Sequence, residues 1–109
     1  MAIDAMDLID AMMGAIKPIL NKYWGDVKDY AETESEKMAA TITNITELVA
    51  ADKIDQDEAQ ALLDMQKHSM QAVLLTVEGI GLIAAQQAIN AALAAIGGIV
   101  NKAIGFALL

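Results

Sequence analysis

The chain has 109 residues, 56% of them apolar, with one proline, no cysteine and a net charge of −8. Without cysteine there is no disulfide framework and no thiolate metal site. A negative charge with no arginine argues against nucleic acid, whose affinity rests on neutralised phosphates. Ala, Leu, Met, Glu, Gln and Lys dominate and nothing alternates with period two for long, so the fold class expected is all-α.

The first segment, "MAIDAMDLID", carries Asp4, Asp7 and Asp10 and no basic n-region. It does not read as a secretory signal. Cytoplasmic synthesis or assembly is favoured, with the compartment otherwise unknown. From Ile9 apolar residues step by three and four: Ile9, Met13, Ile16, Leu20, Trp24, Val27, Ala31, Ser35, Met38, Ile42, Ile45, Val49. This is a helix stripe close to a heptad seam, with one stutter at Val27–Ala31–Ser35. The spacing predicts helix one over residues 1–50, kinked near Pro18, where the ring presses on the carbonyl of Gly14. A separate short helix over residues 3–16 is the alternative.

Residues 51–54 read as a turn. Asp55 and Glu58 have the D-x-x-E spacing of a capping box and start helix two, residues 55–109. Its stripe runs Leu63, Met70, Val77, Ala84, and Gly97–Gly98 is expected to bend it. Folding about the turn pairs residues whose numbers sum to roughly 106, giving an antiparallel helical hairpin of ~65–70 Å at ~1.5 Å per residue. The whole chain then forms a single domain.

Charge is unevenly spread. Residues 1–64 are net −9 and residues 65–109 net +1. The stretch "GIGLIAAQQAINAALAAIGGIVN", Gly79 to Asn101, has no charge at all. On a helical wheel it shows a bulky stripe (Leu75, Leu82, Ile89, Leu93, Ile96, Val100) and a small-residue stripe (Ala84, Ala88, Ala91, Ala95, Gly98). A helix apolar nearly all round has to be buried by something. A two-helix hairpin covers one stripe only, so the small-residue stripe is the expected homo-oligomer interface. Gln86 and Asn90, one turn apart, are the candidate register-setting amides; a thin solvated strip is the competing reading.

Catalytic and ligand chemistry fails on inspection. His68 has only Asp64 at helical spacing, and two ligands do not make a metal site. Asp52, Asp55 and Asp57 resemble a calcium loop but lack its glycine, and Leu63 stands where a bidentate Glu belongs. Paired carboxylates such as Glu32/Glu36 read as solvated face. No enzyme, cofactor, metal or small-molecule substrate is expected. The leading expectation is a self-assembling structural or interaction subunit, such as a small virion, appendage or filament component, whose partner is itself. The second is a membrane-active hairpin (tail-anchored, pore-forming or holin-like) that inserts Gly79–Leu109, membrane association being open but not favoured.

Overall fold

A computed structural model describes residues 3–109; the expected start of helix one at residues 1 and 2 lies outside them. The described chain is all-helical: α1 (Ala5–Ile19), α2 (Trp24–Ala50), α3 (Gln56–Leu74) and α4 (Leu82–Ile104). α1 packs on α2 and α4, and α3 packs on α2, with the α3–α4 seam the loosest of the four neighbouring pairs. The result is a four-helix bundle.

Three helix ends have a clear local cause. Asp4 accepts from the Met6 N–H at 2.9 Å and caps α1. At α3 the capping box is complete: the Glu58 N–H donates to Asp55 Oδ1 at 2.8 Å and the Asp55 N–H to Glu58 Oε1 at 3.3 Å. α2 ends in a Schellman motif, the Lys53 N–H reaching the Leu48 carbonyl at 2.9 Å and the Asp52 N–H the Val49 carbonyl at 3.0 Å. Asp52 takes the left-handed position at φ 58°, where glycine is usual.

The hairpin turn stands where expected, and the pairing it sets is visible in Thr41 Oγ1 donating to Gln66 Oε1 at 3.4 Å across α2 and α3. The extended rod does not form, because both arms break. Arm one is not a kinked continuous helix. α1 runs through Pro18 to Ile19, the chain then makes a 3₁₀ turn over Asn21–Tyr23, and α2 starts at Trp24. Arm two is not continuous either. After Leu74 the Thr76 hydroxyl donates to the Val73 carbonyl at 2.6 Å, and Gly79 takes φ 94°, which no helix accommodates. Val77 and Ile80 in this loop are buried and anchor it. Gly97–Gly98 do not end the helix; they lie inside α4.

The two breaks are neighbours. A Cβ at Gly79 would lie 2.8 Å from the ring of Tyr23, so the loop backbone rests directly on the 3₁₀ turn. The predicted rod is thus folded in half at its middle, α1 with α4 against α2 with α3. The principal extents are 42 × 22 × 18 Å.

Folding in half supplies the missing cover. The core takes Leu8, Met12 and Ile16 from α1, Val27 to Ile45 of the predicted stripe from α2, Leu63, Met70 and Leu74 from α3, and Ile89, Leu93, Ile96 and Val100 from α4. The predicted line is buried at Ile16 and Leu20, whereas at the start of α1 the buried residues are Leu8 and Met12, with the predicted Ile9 and Met13 flanking them. The accessible surface is 6033 Å². About 5,800 Å² is typical of a folded monomer of this mass. One copy of the chain therefore buries a core of its own, while Met6, Met65, Ile83 and Ile99 stay exposed.

Candidate interaction surface on α4 and the α3–α4 groove

α4 turns one face inward and one outward. Inward lie Ala85, Ala88, Ile89, Ala92, Leu93, Ile96, Val100 and Ile104. The outward face carries Ile83, Gln86, Gln87, Asn90, Ala94, Ala95 and Gly98, all exposed and none charged. Leu82, Ile83 and Ile99 are 49%, 73% and 52% exposed. Solvent faces of other helices here carry acids and lysines; this one is bracketed by Glu78 and Lys102 with nothing ionised between.

The small-residue stripe is split by this arrangement. Ala88 is fully buried and Ala84 and Ala91 are half-buried, while Ala95 and Gly98 are exposed. Ala88 is a core residue and has no surface to offer a second copy. The bulky stripe divides as well: Leu75 and Leu82 are exposed at the loop, whereas residues from Ile89 onward are buried.

Gln86 and Asn90 are exposed and line a groove along the loose α3–α4 seam, opposite Lys67, His68 and Gln71. This part measures about 270 Å³. It continues past Lys67 and Asn90 into a second part of about 460 Å³ with Gln60, Leu63, Leu93 and Gly97 on its walls. His68 and Asp64 are joined by no third ligand: among the described residues no cluster of three His, Cys, Asp or Glu could hold a metal. The groove is lined by amides, the Lys67 ammonium, the His68 imidazole and apolar side chains, a surface that can hydrogen-bond and bury.

One functional-looking residue escaped sequence reasoning. The Asn101 side chain grips the C-terminal segment, its Oδ1 accepting from the N–H groups of Leu108 (2.9 Å) and Leu109 (3.0 Å) while its Nδ2 donates to the Leu109 carbonyl (3.2 Å). Leu108 is buried and, with Leu109, closes one end of the groove. The signal was present: Gly105 just past the last periodic residue, followed by "FALL". Gly105 adopts φ 91° and its N–H bonds the Asn101 carbonyl at 3.0 Å, the left-handed glycine stop. The chain then doubles back instead of continuing.

Comparison with known proteins returned no matching family model, no similar curated protein and no similar solved structure.

Proposed function

We propose that this chain is a non-enzymatic interaction subunit that associates with copies of itself through the outward face of α4 and the adjoining groove. The observation that carries this reading is the uncharged exposed face from Leu82 to Ile99 on an otherwise acidic protein. Interface centres are depleted in charge, and burying a side chain such as Ile83 contributes roughly 1.5–3 kcal/mol. Ala94, Ala95 and Gly98 have almost no side chain to hold a second helix away. Gln86 and Asn90, exposed in one copy, would pair with amides of the next and set its register. The acidic α2 and the start of α3 would stay outward and keep the assembly soluble. This reading differs from the expectation drawn from composition in its cause: association adds to a fold that is already closed.

A membrane-active role is the second reading. It is favoured by α4 being the one helix among the described residues long and apolar enough to cross a bilayer. Against it, eight of the 23 residues of α4 are buried in the core, so insertion would require pulling it away from α1. Mass photometry and sedimentation in detergent-free buffer, with dye release from anionic and zwitterionic vesicles alongside, separate the two. Discrete oligomers that ignore vesicles support self-association. A monomer at every concentration refutes it, and dye release by that monomer turns the conclusion to the membrane.

A further inference from the structure

Bulk is distributed unevenly along the outward face of α4. Near its start stands Ile83, at 73% the most exposed large apolar side chain among the described residues. About three to four turns later the same face carries Ala94, Ala95 and Gly98, all exposed. Glycine in a helix interior is less favourable than alanine, and nothing inside the chain requires it at position 98, since no atom lies within 4 Å of where a Cβ would stand. Charge is polarised along the same axis. Glu78 is exposed in the loop that leads into α4 and Lys102 is exposed in its last turn, with nothing ionised between them.

We propose that two copies meet through an antiparallel α4–α4 contact, related by a two-fold axis beside Asn90, in which each Ile83 seats in the notch at the partner's Gly98. This rests on the self-association reading and fixes its geometry. A two-fold contact presents the same patch from both copies, so the patch has to complement itself. Antiparallel packing achieves this in shape and in charge. It sets the bulky start of each helix against small residues of the other, Ile83 by the partner's Gly98 and Gln87 by the partner's Ala94, as knobs enter holes. It also brings Glu78 of each copy to the end where the partner's Lys102 stands. Parallel packing would set Ile83 against Ile83, leave two glycine notches facing each other, and place Glu78 by Glu78. A void forfeits packing and like charges repel. Asn90, nearest the axis, would meet its own counterpart amide to amide.

The chain has no cysteine, so single introduced thiols report the contact. Gln87→Cys and Ala94→Cys, both at exposed positions, are oxidised separately and as an equal mixture at a concentration where the unmodified chain associates, and intact mass identifies each covalent dimer. In the antiparallel contact the two copies of position 87 stand about 10 Å apart along the helix axis, beyond the Cβ separation of about 3.5–4.5 Å that a disulfide bridges. The mixed dimer should exceed either homodimer by about tenfold or more. Homodimers from each variant alone would mean parallel packing and overturn the proposal while leaving self-association standing. No covalent dimer from a chain that associates in mass photometry does the same. Charge reversal reads the geometry without a thiol. Glu78→Lys or Lys102→Glu alone should weaken association about threefold to tenfold, and the two together should restore it. Glu78→Lys brings the net charge of −8 nearer zero, so a loss there cannot come from repulsion between whole molecules. Equal association of all four proteins, or a double variant weaker than either single one, overturns the antiparallel contact. An unmodified chain that stays monomeric at every concentration overturns the self-association reading beneath it.

Discussion

Ala88 and Ala95 lie two turns apart on what the sequence presents as one stripe, yet one is fully buried and the other exposed. Replacing each tests whether that division is real. Ala88→Leu forces three more carbons into a filled interior between α4 and its neighbours, and overpacking of this kind costs about 1–3 kcal/mol. An unfolding entropy of ~2.1 cal/mol/K per residue amounts to ~0.23 kcal/mol/K for this chain, so Tm should fall by ~4–13 °C. Ala95→Glu has no interior to disturb and should change stability by less than ~0.5 kcal/mol, or ~2 °C. The same carboxylate would stand in the middle of the proposed contact face. Desolvating it against a second copy should cost at least ~1.4 kcal/mol, a tenfold loss of association. Melts are recorded by circular dichroism at a concentration where the unmodified chain is monomeric, so that association does not add to Tm; mass photometry reads the assembly. Equal Tm losses at the two positions, or no loss for Ala88→Leu, would refute the division of α4 into an inner and an outer face. An Ala95→Glu protein that assembles normally would remove this face from the interface.

Other positions give independent checks. Gly79→Ala must hold φ 94° and push the Tyr23 ring, whereas Gly105→Ala meets only the φ penalty; the left-handed conformation costs a non-glycine residue ~1–2 kcal/mol, so calorimetry should find Gly79→Ala the more destabilising. Asp52→Gly relieves the opposite problem at the end of α2 and should raise stability by ~0.5–1 kcal/mol, the strain removed being partly offset by a more flexible unfolded chain. Glu34 has a side chain 2% exposed, with Oε1 unpartnered and Oε2 3.1 Å from Lys37 Nζ, itself 56% exposed. Lys37→Met strips that carboxylate of its partner and should cost ~1–2 kcal/mol, the lower part of the range for an unsatisfied buried group because the ammonium is half in water. Glu34→Met fills the same space without a charge and should be neutral or stabilising. In urea titrations the order Glu34→Met above wild type above Lys37→Met is expected, and both variants falling below wild type would mean the ion pair stabilises on balance.

Much of the fold was legible because its signals are local. Helix class, the Asp55–Glu58 start of α3, the turn at residues 51–54 and the buried α2 line from Val27 to Ile45 all follow from spacing and capping chemistry within a few residues. The break at residues 75–81 was not legible from periodicity, for a specific reason. Leu63, Met70 and Val77 continue the heptad straight into the loop, and Val77 is buried there just as it would be in a helix. A hydrophobic pattern records that a residue is buried, not which element buries it.

What the sequence determined by itself was therefore an acidic, all-helical chain turning once near residue 53, with an uncharged helix at its far end. Tyr23 and Gly79, residues far apart in the chain, meet where the two arms break. Only tertiary structure places both breaks side by side and lets the arms fold onto each other. Burial is a property of the closed three-dimensional surface, so the interior position of Ala88, the outward position of Ala95 and the hold of Asn101 on the last two leucines were decided there.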